Sequence, residues 1–229
     1  MRILVTNDDG FDAPGLAALQ AAAGDFGEVT LFAPATQQSY VGHRVSTHTP
    51  LRLTELAPGQ FHLEGTPADC VRVALRGLNQ SFDWVLSGIN HGGNLGADVY
   101  TSGTVAAARE AALLGVPAIA ISQFHRRPHP DDWPTSIALA KRAIQKILAA
   151  PPNPGDYWNV NLPHPISQPH AVSLIDCDID PGPLDVAFTR QGEEFLYSGR
   201  YMARSASPGL DVDHCFAGAI TITRFRTGR

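Results

Sequence analysis

Ile3-Leu4-Val5-Thr6-Asn7-Asp8-Asp9-Gly10 runs a short stretch of β-forming residues directly into two carboxylates and a glycine. A brief apolar run ending in a turn signal reads as a buried strand. In an open α/β sheet, ligands bind beyond the carboxyl ends of the strands, so an acidic pair at such an end is placed for chemistry. Neighbouring strand residues point to opposite faces; Asp8 and Asp9 therefore converge only if the chain is already turning, which Gly10 permits. Taken alone, Asp-Asp-Gly is also compatible with an acidic turn that caps the next helix, and the rest of the chain decides between the two.

Outward from this stretch, Asp12 is the expected N-cap of a helix with Pro14 in its first turn and Leu16, Leu19 and Ala23 at helical spacing. Gly24 and Gly27 end it, and Val29, Leu31 and Ala33 alternate in a second strand that stops at Pro34. This β-α-β unit predicts parallel strands with a right-handed crossover. Thr36-Gln37-Gln38-Ser39-Tyr40-Val41-Gly42-His43 is polar and longer than a tight connection needs. Alone, Ser39 reads as an ordinary turn residue. Leu51, Leu53 and Phe61, Leu63 predict a small antiparallel excursion, and Thr66 with Pro67 and Asp69 predicts a well-made helix start.

Phe82 to Leu86 predicts another buried strand, running into Ser87-Gly88-Ile89-Asn90-His91-Gly92-Gly93-Asn94-Leu95-Gly96. Four glycines and two asparagines there describe a backbone that approaches something closely. Tyr100-Thr101-Ser102-Gly103-Thr104 then opens a helical segment, Val105 to Leu114, whose free N–H groups and adjacent hydroxyls suit an anion. Pro117 to Ser122 reads as a strand and Asp131 to Ala150 as an amphipathic helix with Ile137, Ala140, Ile144, Ile147 and Leu148 inward. Pro151-Pro152-Asn153-Pro154-Gly155 marks a break. Beyond it come Trp158–Pro163 and alternating segments at 171–175, 185–189, 194–201 and 219–225. The pattern predicts an α/β fold: a Rossmann-like, mostly parallel sheet flanked by helices, with a catalytic core at 1–150. The β-rich region 151–229 is expected to complete the core.

Composition removes several function classes. The net charge of −5 disfavours standing affinity for nucleic acid or anionic membrane. Lys141 and Lys146 are the only lysines, both in the amphipathic helix. That excludes a Walker A loop, a pyridoxal Schiff base and a kinase-type lysine. Cys70, Cys177 and Cys215 form no Cys-x-x-Cys pair and fit a reduced, cytoplasmic protein. The N-terminal apolar run is too short for a signal peptide and no stretch approaches a membrane span.

Taken in order, Asn7-Asp8-Asp9-Gly10, the Ser39 loop, Gly65-Thr66-Pro67-Ala68-Asp69-Cys70, Ser87-Gly88-Ile89-Asn90 with Asn94 and Gly96, and Ser102-Gly103-Thr104-Val105 resemble the SurE family of nucleotidases. Each motif is weak alone, whereas the ordered set over residues 1–122 is specific. The resemblance implies one divalent ion per subunit, Mg²⁺ or Mn²⁺, held by Asp8, Asp9, Ser39 and Asn90, a set of hard oxygen donors. It implies hydrolysis of nucleoside monophosphates, 5′ and in some members 3′, with short polyphosphate as a further substrate. Asp8 and Asp9 are the expected catalytic carboxylates, Asp8 being favoured as base. Asn94, Ser102, Gly103 and Thr104 are the expected phosphate-binding residues. A homodimer or homotetramer is implied through extended hairpins in the C-terminal region. Tyr40 stands where the family usually has glycine, a departure that bears on how the loop carries Ser39 to the metal.

Two other readings compete. An aspartyl-phosphate phosphatase wants two aspartates one residue apart and a supporting lysine, which are not here. A non-catalytic nucleotide-binding module fits the glycine loop, but the first β-α turn lacks GxGxxG spacing. His43 and His91 fall in the two site loops, where solvated histidines are the ordinary case. Pro128 between His125 and His129 argues against a zinc pair on one helical face. Asp211-Val212-Asp213-His214 resembles a ligand run but is expected at the surface.

Overall fold

The computed structural model describes residues 1–184 and 186–228; Asp185, at the head of one expected strand, and Arg229 lie outside the described residues. Strands β1 (Arg2–Thr6), β2 (Glu28–Pro34), β3 (Leu53–Ala57), β4 (Gln60–Leu63), β5 (Trp84–His91), β6 (Ala118–Gln123), β7 (Asp156–Leu162), β8 (Leu174–Asp176) and β11 (Ile220–Arg226) form one sheet. Its order is β3-β4-β2-β1-β5-β6-β7-β11-β8. From β4 to β7 every neighbouring pair is parallel, while β3 and β11 run against their partners β4 and β7. The expected α/β class and mostly parallel sheet are therefore observed, and the sheet continues through the break at 151–155.

The central strands read as near-continuous apolar runs because both faces are covered. Helices α1 (Pro14–Ala23) and α4 (Trp133–Leu148) pack on one face; α2 (Pro67–Arg72) and α3 (Gly103–Leu113) pack on the other. Alternation along β1 shows the division: Ile3 and Val5 enter the first core, Leu4 the second. The Asp132 side chain caps α4 by accepting from the Thr135 amide at 3.1 Å. Its buried residues are Ser136, Leu139, Ala140, Ala143, Ile144 and Ile147, and the expected Ile137 and Leu148 pack half-buried against the same core. Asp156, fully buried on β7, pairs with Arg224 and Arg226 of β11 and ties that antiparallel strand to the core.

Several elements differ from expectation for local reasons. The N-cap of α1 is Ala13, with no side-chain cap, because the Ala13 amide turns back onto the Gly10 carbonyl and starts the helix one residue later. Strand β5 extends through Ser87 to His91, so the first half of the supposed glycine loop is paired with β6, with an irregularity between Gly88 and Asn90. A short helix, α5 (Asp211–Phe216), interrupts the C-terminal region, and Asp211 is buried, accepting from the Gly96, Asp180 and Val212 amides. Strands β9 (Phe188–Gln191) and β10 (Glu194–Tyr197) pair only with each other among the described residues. Every residue of both is exposed.

Candidate functional site

Strand β1 has β2 on one side and β5 on the other, so chain connectivity reverses there and a crevice opens beyond the carboxyl ends. Asp8 and Asp9 leave β1 into it. Asp8 is 5% exposed, and its Oδ1 accepts from the Thr104 hydroxyl at 2.5 Å. A Cβ on Gly103 would lie 2.9 Å from Asp8 Oδ2; glycine there is what lets the carboxylate dock against the first turn of α3. The Asp8 carbonyl accepts from the Gln38 amide at 2.7 Å, which fixes the residue before Ser39. Asp9 Oδ2 accepts from the His91 amide at 3.0 Å, which fixes the residue after Asn90. The acidic turn, the Ser39 loop, the end of β5 and the start of α3 are thus joined by direct bonds.

Asp8, Asp9 and Asn90 each keep a side-chain oxygen without a side-chain hydrogen bond, whereas the single hydroxyl of Ser39 is engaged. Asp8 uses Oδ1 on Thr104, Asp9 uses Oδ2 on His91, and Asn90 donates Nδ2 to the Gly92 carbonyl at 2.8 Å, leaving Oδ1. Ser39 is exposed, and its Oγ accepts from Gln37 Nε2 at 2.8 Å. Burial raises the Asp8 carboxyl to about 6 despite the Thr104 hydrogen bond, with the Asp9 charge adding to the rise. Among the described residues neither aspartate pairs with a lysine, arginine or histidine side chain. Two adjacent carboxylates, an amide carbonyl and a hydroxyl without a basic partner are a donor set that fits a hard divalent cation.

The candidate phosphate residues divide. Gly103 and Thr104 begin α3, and Ser102 caps it by accepting from the Val105 amide at 3.1 Å, so the serine is a cap as well as a hydroxyl donor at the helix start. The Thr104 hydroxyl is taken by Asp8, and the Thr104 backbone also bears on that carboxylate, so the start of α3 already faces one anionic group. Asn94 faces elsewhere: its Nδ2 donates to Ser122 and its amide to Asn161, while its carbonyl accepts from Asn159 and Asn161. A buried asparagine network on β6 and β7 therefore holds the glycine loop down. Its signal in the sequence is Asn159 and Asn161, spaced to share one strand face.

Tyr40 adopts φ +60°, a left-handed conformation that glycine takes without strain, and its side chain is exposed. His43 is not a solvated loop residue. Its Nε2 lies 2.7 Å from Glu110, and its Nδ1 accepts from Arg109 at 2.9 Å, tying the Ser39 loop to α3. Glu110 also takes Arg72 at 2.5 Å. Burial would raise Glu110, but the hydrogen bonds and charges of His43 and Arg72 outweigh it and hold the carboxyl below its ordinary value. His43, Glu110 and Arg72 escape a linear reading because they come from three separated segments.

A profile of the family described as Survival protein SurE matches residues 3–196. A protein of Nostoc sp. is 43% identical over 227 residues, covering 99% of this chain and all of the relative. The protein named 5′-nucleotidase SurE from Sorangium cellulosum is 41% identical, covering 96% of this chain and 88% of its own. The crystal structure of the SurE protein from Aquifex aeolicus superposes with a TM-score of 0.85 at 29% identity, over 99% of this chain and 93% of that one. The chain belongs to the SurE family.

Proposed function

We propose that this chain is a divalent-metal-dependent phosphomonoesterase. Its substrates in this reading are nucleoside 5′-monophosphates, with 3′-nucleotides and short polyphosphate as further ones. The observation that carries the reading is the Asp8–Asp9 pair, set at the reversal point of the sheet with uncommitted oxygens and no basic partner. Relatives named 5′-nucleotidase support the substrate class.

Asp8, Asp9, Ser39 and Asn90 would hold one Mg²⁺ or Mn²⁺ per subunit. When bound, the ion supplies Lewis acidity toward a phosphate oxygen and a water. Asp8 is the favoured base, taking a proton from the attacking water. The Ser102 hydroxyl and the Gly103 and Thr104 amides orient the phosphate through the positive end of α3. Asn94 positions the loop rather than donating its bonded amide. Phosphate release from chelator-stripped protein across a panel of nucleotides, with and without Mn²⁺ or Mg²⁺, tests this. Tight nucleotide binding with no release under either metal would favour the non-catalytic module.

In the same reading, residues 1–150 carry the chemistry, and the exposed β9–β10 hairpin of the 151–229 region reaches another copy in a homodimer or homotetramer. Cytoplasmic residence fits the three free cysteines. No helix among the described residues is long and apolar enough to cross a membrane.

A further inference from the structure

We propose that His91, His125 and Asp131 form a second cation site, selective for Zn²⁺ or a similar late divalent metal, at the rim of the crevice. The three residues come from the end of β5, the segment after β6 and the approach to α4, and their ligand atoms all lie within 4.8 Å of one another. Both imidazoles aim Nε2 at one carboxylate oxygen: Asp131 Oδ1 is 3.3 Å from His91 and 3.1 Å from His125. Ligands held 2.0–2.1 Å from a tetrahedral ion sit about 3.3 Å from each other, so both separations are already those of a coordination edge.

Hydrogen bonding alone does not account for the arrangement. His125 Nε2 is shielded from solvent and has no hydrogen-bond partner, its approach to Asp131 being out of line. The two rings stack at 4.2 Å with an interplanar angle of 28°, which keeps both nitrogens on the same side. Support lies behind them. His164 packs on His125 at 4.9 Å and bonds through Nε2 to the Pro130 carbonyl, next to Asp131, and Trp133 packs on His91. These contacts restrain both rings from outside the triad. His129 packs edge-on against His164 and has no part in the triad.

Two imidazoles and a carboxylate suit Zn²⁺ and leave a position open, whereas the all-oxygen set at Asp8 and Asp9 suits Mg²⁺ or Mn²⁺. The sites are linked, since the His91 backbone amide donates to Asp9. A cation at the rim would place positive charge beside that carboxylate. This inference does not depend on the nucleotidase reading.

The test is competition of the full chain with a chromophoric chelator for Zn²⁺ in excess Mg²⁺. Wild type is expected to retain one equivalent. Asp131→Asn and His91→Gln, changes at exposed side chains, are expected to lower that affinity by at least about tenfold while melting as wild type does without Zn²⁺. Co²⁺ added to wild type in excess Mg²⁺ is expected to give the visible absorption of a low-coordinate nitrogen-containing site, a readout that needs no variant. No Zn²⁺ uptake by wild type, unchanged affinity in both variants, or loss in Asp9→Asn alone would overturn the proposal.

Discussion

The crevice and the β9–β10 hairpin break opposite rules. The crevice buries a carboxylate without a basic partner, while the hairpin exposes Phe188, Phe195, Leu196 and Tyr197, each more than half accessible. Folded chains seldom leave either unexplained: buried charge wants a countercharge, and a contiguous apolar surface wants a partner. The contrast shows two kinds of unmet demand, a buried carboxylate without a countercharge and an apolar surface without a cover; the proposed function assigns a cation to the first and a second copy to the second. Local order differs in the same sense. The Asp8 and Asp9 oxygens are fixed by bonds from three other segments, whereas β9 and β10 bond only to each other within the sheet pattern.

The strongest way to break this comparison is Asp9→Asn. Removing one charge from the pair is expected to lower phosphate release by about 10³-fold, roughly 4 kcal/mol of transition-state stabilisation, with the fold intact by circular dichroism. If activity survives, the crevice is not what the buried charge serves. Next is the double change Phe195→Ser with Leu196→Ser. Two large apolar side chains are worth about 3 kcal/mol or more when buried. Self-association measured by sedimentation should therefore weaken more than about hundredfold. An unchanged mass would mean the hairpin faces something other than a second copy.

A smaller effect is expected at Glu110→Gln, which removes charged hydrogen bonds to His43 and Arg72 and should cost about 1–3 kcal/mol at neutral pH. The sign follows from linkage. The folded carboxyl is depressed below its ordinary value of 4.5. Its contribution is therefore full above that value and is lost as pH falls through the folded pKa. Wild type and variant should converge in acid denaturation curves below pH 4.5; a constant gap would show that the charge is not the source. Smallest is Tyr40→Gly, which should raise stability by up to about 1 kcal/mol by relieving a left-handed backbone.

Much of the crevice was legible because strand ends announce themselves. An apolar run that stops in Asp8-Asp9-Gly10, and another that stops at Leu86 just before the segment carrying Asn90, mark the edges of a sheet by local contrast alone. What escaped depends on tertiary contact. Asp12 looked like a cap, but the Gly10–Ala13 turn moves the helix start. Ser87 to His91 looked like loop because glycine and polar residues disfavour strands, yet the β6 backbone pairs with them. Asp211 looked solvated, although three backbone amides pay for its burial. His91, His125 and Asp131 are spaced without any metal signature in the sequence and meet only because two parallel strands and a helix approach end at one rim.

The central claim is that Asp8 and Asp9 are the carboxylates of a metal-dependent nucleotidase. Its most direct measurement is phosphate release from a nucleoside 5′-monophosphate by chelator-stripped wild type and Asp9→Asn, before and after Mg²⁺ or Mn²⁺ is restored. The account predicts no release from stripped protein, recovery in wild type with either ion, and a recovery about 10³-fold lower in Asp9→Asn. Full release from stripped protein, or equal recovery in the variant, would contradict it.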